Sequence, residues 1–261
     1  MFYWIYDLPL WAGAVLFAVV FVGVSWLLVI TLHPWVHHLV RHQPDWANII
    51  SSVLSAYGVL YGITLALIVV AAYQDYSQVG GTVAREAAAL GTLYRDVSSY
   101  PEPIRSELQD RLRDYARDVS EKDWPAQRRG VVPEGGTAQA TAFHDRLLTF
   151  APATPAQEIV HAETLREFST FVEYRRERLY GVTVALPGIL WVVIFVGALL
   201  SMLLIALFDI KRRRIHLAVA AVPSFFVSLL LYLAVALDNP FRGGLSASPR
   251  AFEIVRESLM R

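Results

Sequence analysis

The chain has 261 residues, 55% of them hydrophobic, with 23 basic and 23 acidic side chains and no cysteine. The lack of cysteine excludes disulfides, thiolate metal sites and a cysteine nucleophile. Balanced charge without a clustered basic surface gives no case for nucleic-acid binding. The charge is concentrated: 14 of the Lys and Arg and 17 of the Asp and Glu fall between Asp75 and Arg178.

Four stretches carry no Asp, Glu, Lys or Arg: Leu8 to Val40, Trp46 to Gln74, Leu179 to Phe208 and Ile215 to Leu237. A bilayer core of about 30 Å needs roughly 20 apolar residues as a helix. Each stretch is therefore predicted to span. The expected fold is an all-α membrane protein with four transmembrane helices in two hairpins, residues 1–76 and 179–238. A helical extramembrane region, 77–178, is inserted between helices two and three, and a C-terminal tail runs over 239–261. The N-terminus has no basic residue before its apolar run and no small-residue cleavage site, so the first segment is expected to be retained. Phe2, Tyr3, Trp4, Tyr6 and Trp11 suit the headgroup level.

Span one is predicted from Leu10 to Leu32, with Pro34 ending it. His33 and His37, and His38 and His42, are each four apart, a spacing that suits a divalent metal. Asp45 is the nearest carboxylate that could complete such a site. Interfacial histidines are the commoner use of this pattern, and no metal is assigned. Span two, predicted from Asn48 to Tyr73, carries Ser51, Ser52, Ser55, Tyr57, Tyr61 and Thr64, with Gly58 and Gly62 four apart. Polar groups in hydrocarbon tend to face protein or water, and small residues let helices approach closely. Pore lining and ordinary helix packing both fit this composition.

Val83, Ala87, Leu90, Tyr94 and Val97 recur at helical spacing within a predicted helix from Val79 to Tyr100. Leu108, Leu112, Tyr115 and Val119 repeat the pattern after Ile104. Pro101 and Pro103 separate the two helices. Pro125, Gly130, Pro133, Gly135 and Gly136 predict a mobile loop from Trp124 to Thr141. Thr154, Pro155 and Gln157 predict a capped helix start. The helix begun there is expected to run unbroken into span three, Gly181 to Phe208, with a kink at Pro187. Lys211 to Arg214 form a tight turn before span four, Ile215 to Leu237. The positive-inside rule would put that turn in the cytoplasm, but Arg175, Arg176 and Arg178 flank span three on the other side.

No nucleophile elbow, phosphate-cradling glycine loop, HExxH or intramembrane carboxylate pair is present, so neither an enzyme nor a cofactor is expected. The most specific short string is Asp238, Asn239, Pro240 and Phe241, directly after span four. A helix-ending turn capped by Asp238 and Asn239 explains it by itself.

Three segments together resemble the bestrophin-like domain family of membrane proteins: YGVLYGITLALIVVAAYQDYSQV in span two, VAREAAALGTLYRDVSSYPEPIRSELQDRLRDYARDV after it, and LDNPFRGGLSASPRAFE at the end. The chain distantly resembles true bestrophins, which are pentameric chloride channels. On that resemblance Val53, Tyr57 and Tyr61 match a hydrophobic neck, followed by Thr64 and Leu65. Asp238, Asn239, Pro240 and Phe241 match the string after the fourth span. Arg242, Gly243 and Gly244 replace the acidic run of calcium-sensing members. The resemblance implies a multi-pass protein of the cell membrane, with the termini and helical region in the cytoplasm, assembled as a homo-oligomer, a pentamer, that conducts an anion such as chloride. Val53, Tyr57, Tyr61, Thr64 and Ile68 fall on one helical stripe. Rings of such residues gate by dewetting, and the positive edges of aromatic rings favour anions. The alternative is a non-conducting scaffold whose helical region binds a partner.

Overall fold

A computed structural model describes residues 3–40, 43–133 and 135–260. Among them there is no strand. After a 3-10 turn, Tyr3–Asp7, the helices are α1 (Leu10–Val40), α2 (Trp46–Val97), α3 (Ile104–Asp118), α4 (Trp124–Arg128), α5 (Gly135–Leu148), α6 (Pro155–Gly181), α7 (Gly188–Ala206), α8 (Arg213–Asp238) and α9 (Arg250–Leu259). By length and composition α1, α2, α7 and α8 are able to cross a membrane. The chain divides into an apolar unit, Met1–Gln74 with Ala185–Asp238, and a polar unit, Asp75–Val184 with Asn239–Arg261.

In the apolar unit α1 packs on α7 and α8, and these two pack on each other. Gly13 makes the first approach close, because a Cβ there would lie 2.5 Å from the Tyr232 hydroxyl. The Phe17 ring meets the same tyrosine at 5.4 Å. The Trp26 indole donates to the Leu217 carbonyl at 3.0 Å. Val29, Ile205, Ala206 and Ala220 close a small core. Large side chains such as Val15, Val19, Leu27, Val192 and Leu199 stay exposed. Apolar surface on that scale belongs against lipid or another subunit.

Three expectations about helix ends fail, each for a local reason. Pro34 does not end α1, which continues to Val40. The proline removes one hydrogen bond, that to the Ile30 carbonyl, but buried Val36 anchors the following turn. Span two and the helix after it are one element, because no proline interrupts Trp46–Val97. The Gly80–Gly81 pair costs about 1 kcal/mol per glycine in helix propensity, and burial of Val79, Thr82 and Val83 around it offsets that. α6 does not run into α7: it stops at Gly181, and α7 starts only after Pro187. Proline drives the residue before it out of helical geometry, and the Leu186 N–H that this frees donates to Asp238 Oδ1 at 2.6 Å.

The polar unit has a continuous core built from α2, α3, α5, α6 and the tail, including Leu90, Leu93, Leu112, Phe143, Phe171 and Phe252. The expected loop from Trp124 to Thr141 is largely helical. Pro125 sits in the first turn of α4, where its missing N–H is harmless. Gly130 then turns the chain at φ 74. Ala140, Phe143 and Leu147 give α5 a buried face. At α6 the capping motif forms as the spacing predicts: Thr154 Oγ1 accepts from the Gln157 N–H at 3.3 Å, and Gln157 Oε1 accepts from the Ala153 N–H at 2.8 Å.

Candidate functional site

The stripe Val53, Tyr57, Tyr61, Thr64 and Ile68 lies on the apolar half of α2, and the structure divides it. Val53 is exposed, at 46%, whereas Tyr61 and Ile68 are buried. The Tyr57 hydroxyl donates to the Gly197 carbonyl at 2.6 Å, and the Tyr61 hydroxyl donates to the Ile194 carbonyl at 2.9 Å. The two rings stack 5.9 Å apart. Both tyrosines are therefore tied to α7 of the same chain. Thr64 Oγ1 donates back to the Leu60 carbonyl at 2.9 Å, a common use of threonine in apolar helices. The exposed apolar face of α2 is a different row: Ile49, Val53, Leu60, Ile63, Leu67 and Val70. Their spacings, with Ala56 between, alternate four and three, so they share one side of the helix.

The turn after α8 is an anchor rather than a loose cap. Asp238, the last residue of α8, holds the entrance of α7 through the Leu186 N–H. Asn239 accepts from the Arg242 N–H at 2.9 Å, and Pro240 accepts from the Ala247 N–H at 2.8 Å. Phe241 is buried and meets the Trp124 ring edge-on at 5.5 Å. The Arg242 guanidinium donates to the Arg129 carbonyl. Gly243 at φ 77 takes the left-handed conformation glycine tolerates. Every one of these contacts after Asn239 stays within the polar unit.

That unit also holds a buried charge cluster that sequence reasoning did not single out. Arg178 of α6 and Glu86 of α2 are both fully buried and paired, with Nε to Oε2 at 2.6 Å and Nη2 to Oε1 at 3.2 Å. The Tyr115 hydroxyl of α3 donates to Glu86 Oε1 at 2.5 Å. Burial and then the Glu86 charge raise the Tyr115 pKa well above the phenol range. Burial alone would weaken the Arg178 proton affinity, but the Glu86 carboxylate more than offsets it and holds the pKa above the usual value. Asp123 and Gln127, one turn apart, are buried alongside Arg175. Asp123 closes a π-helical turn, Val119–Asp123, and Gln127 comes after it; such distortions are often found at functional positions.

Burial raises the Asp123 carboxyl pKa despite the neighbouring Arg178 and Arg175. A proton held more tightly in the folded state stabilises at low pH, and that contribution is lost as pH rises through the folded-state pKa. Asp123→Asn, which cannot ionise, is therefore expected to unfold at a higher temperature than the parent at pH 7–8 and at the same temperature near pH 4. Thermal melts across that range check it, and a pH-independent difference would refute the assignment.

His33 and His37 stack at 6.2 Å between ring centroids. His37 Nδ1 lies 3.1 Å from Asp209 Oδ2, so the carboxylate that meets the α1 histidines is Asp209, in the connection between α7 and α8, and not Asp45. His38 is exposed, and His42 lies outside the described residues.

Four apolar helices of spanning length attached to a helical unit with its own charged core define an integral membrane protein of all-helical class. The sequence matches the Bestrophin-like domain family over residues 10–252, and the chain belongs to that family. No curated protein matches it. A bacterial bestrophin homologue from Klebsiella pneumoniae has a similar structure, with a TM-score of 0.67 at 14% identity over 94% of this chain and 97% of that one. A single-substitution variant of a K. pneumoniae bestrophin homologue gives 0.69 at 13% identity, over 93% and 97%. A crystal structure described only as a membrane protein gives 0.68 at 14%, over 95% and 97%. At such identities the likeness concerns the fold.

Proposed function

We propose that the chain assembles as a homo-oligomeric ring, a pentamer by analogy with bestrophins, and conducts small anions such as chloride through a neck lined by α2. The observation that carries the reading is the exposed, charge-free row on α2 in a member of this family. The neck has two layers. Val53, with Leu60, Ile63 and Leu67, presents the surface; Tyr57 and Tyr61 back it by bonding α2 to α7, with Ile68 buried and Thr64 bonded back within α2. Stacked apolar rings of this kind gate by dewetting. The connections α1 to α2 and α7 to α8, with the start of α8, carry Arg41, Lys211, Arg212, Arg213 and Arg214 against Asp45 and Asp209. Such an excess gathers anions. On this reading, by analogy with bestrophins, the polar unit and both termini lie on the cytoplasmic side of the cell membrane. Asp238 to Phe241 join the last span to the polar unit.

Two measurements test this. Native mass spectrometry of the purified protein should give a closed ring of four or more subunits; a monomer or dimer across mild detergents removes the axial pore and favours the scaffold. Chloride flux into proteoliposomes should rise several-fold when Leu60 or Ile63 is replaced by Ser, because a wetted ring no longer blocks the resting pore. Unchanged flux in both variants would take the row out of the neck.

A further inference from the structure

Gly58 and Gly62 of α2 play no part in the proposed neck, and among the described residues nothing lies within 4 Å of where a Cβ on either would stand. The pair therefore does not serve a close helix approach within the chain. Instead it opens one wall of an apolar groove of about 490 Å3 between α2, α7 and α8. Leu54, Gly58, Tyr61, Gly62 and Leu65 form the α2 wall, about half a turn around the helix from Leu60, Ile63 and Leu67. Every hydroxyl in the lining is already engaged: Ser201 donates to the Gly197 carbonyl, Ser224 to the Ala220 carbonyl and Tyr61 to the Ile194 carbonyl. The side walls thus offer hydrocarbon and no free hydroxyl. Polarity is confined to one end, formed by Phe208, Ile210 and His216, where the His33 ring stands 6.3 Å from that of His216. Lys211, Arg212, Arg213 and Arg214 follow Ile210 directly and are exposed. All of these residues belong to the apolar unit.

We infer that the groove binds one acyl chain of an anionic phospholipid, with the lipid phosphate held by the cations Lys211 to Arg214. The lining runs from Leu54 to Leu65 on α2 and from His216 to Leu230 on α8, about 16–21 Å at 1.5 Å per residue. One leaflet is about half of a 30 Å core, so the groove has the reach of one acyl chain. Spread over that length, a volume of about 490 Å3 makes a slot about 5–6 Å wide, too narrow for a helix of a second copy at about 10–12 Å. A hydrocarbon chain, whose carbons pack at about 3.5–4.0 Å, fills it in contact with both walls. Charge selects the headgroup. The four exposed cations follow the polar end of the groove in sequence, and the adjacent acid, Asp209, is taken by His37 at 3.1 Å. A basic cluster of that size beside a span attracts anionic lipid, and the phosphate it holds is joined to a chain that lies in the groove. The lipid fills the space between α2 and α8 on the side of α2 away from its exposed row.

The test uses the full-length protein, delipidated in mild detergent and titrated with dioleoylphosphatidylglycerol or dioleoylphosphatidylcholine, with bound lipid counted by native mass spectrometry. The expected result is one phosphatidylglycerol per chain, bound about tenfold or more tighter than phosphatidylcholine. Gly58→Leu with Gly62→Leu fills the slot and should abolish that lipid. Nothing lies within 4 Å of either Cβ position and leucine is the better helix former, so this variant keeps the fold. Gly23→Leu, equally unobstructed but on α1 and outside the groove, should leave the count unchanged. Lys211→Gln with Arg212→Gln, Arg213→Gln and Arg214→Gln should retain a chain but lose the preference for the anionic lipid. Fewer than one lipid per chain in the parent, equal counts in the double-leucine and Gly23→Leu variants, or equal binding of the two lipids overturns the site. An unchanged preference in the glutamine variant overturns it too. So does loss of the oligomer in the double-leucine variant, which would put a second copy in the slot. No readout uses ion flux, so failure here is distinct from failure of the channel reading.

Discussion

Replacing Glu86 with Ala is expected to lower the stability of the polar unit by about 3–5 kcal/mol. The reason is what it leaves behind. Arg178 is fully buried, and its Nε and Nη2 both donate to that carboxylate. Removing one partner of a buried pair strands the other charge away from water, and the stranded guanidinium sets the cost rather than the lost attraction. The Tyr115 hydroxyl loses its acceptor at the same time. Arg178→Ala should cost a similar amount, because it strands Glu86. Replacing the pair together, Glu86→Leu with Arg178→Met and Tyr115→Phe, should recover most of the loss, since well-packed apolar substitutes for a buried ion pair are often neutral or better. Thermal or urea unfolding of the detergent-solubilised protein measures each. If the single variants melt within 1 kcal/mol of the parent, as paired surface charges would, the cluster is hydrated and the burial argument is wrong.

Why this pair escaped sequence reading is instructive. Glu86 and Arg178 are 92 residues apart, and both sit in helices where most charges face solvent. Arg85 beside Glu86 is exposed, and so is Glu177 beside Arg178. Composition cannot distinguish a guanidinium pointing inward from its neighbours pointing outward. The spans, by contrast, were legible, because charge is absent from them for a physical reason that acts residue by residue. The Thr154 cap was legible for the same reason: its partners are three residues apart. The α2 stripe was half legible. Helical spacing correctly grouped Tyr57 and Tyr61, but which way that group turns depends on Gly197, a residue far along the chain whose lack of a side chain makes room for the Tyr61 ring. His216 and Asp209 come to the α1 histidines in the same nonlocal way. Pro34 misled in the opposite sense, since a local rule about proline yields when packing holds both sides of it.

Gly197→Ala is the second substitution with a large expected effect. A methyl group at Gly197 would fall inside the Tyr61 ring. The ring cannot swing aside without giving up the hydroxyl bond to the Ile194 carbonyl, and its movement displaces Tyr57, which stacks on it and bonds to Gly197 itself. Overpacking a tight contact costs about 1–3 kcal/mol, and interhelical hydrogen bonds in a bilayer average about 0.6 kcal/mol each. The combined loss is expected at about 2–4 kcal/mol, measured by denaturant unfolding in bicelles. Tyr61→Phe alone should lose only the hydrogen-bond share. Tyr61→Ala with Gly197→Ala should cost less than the two singles added, because the methyl group enters space the ring has left. In the proposed ring the same variant should alter chloride flux, because α2 would shift at the level where Leu60 and Ile63 are proposed to face the axis. A silent Gly197→Ala would mean that Tyr61 is not seated on α7, which would free both tyrosines to face the proposed pore. A destabilised Gly197→Ala, by contrast, would show Tyr61 held against α7, as its hydroxyl bond to the Ile194 carbonyl requires.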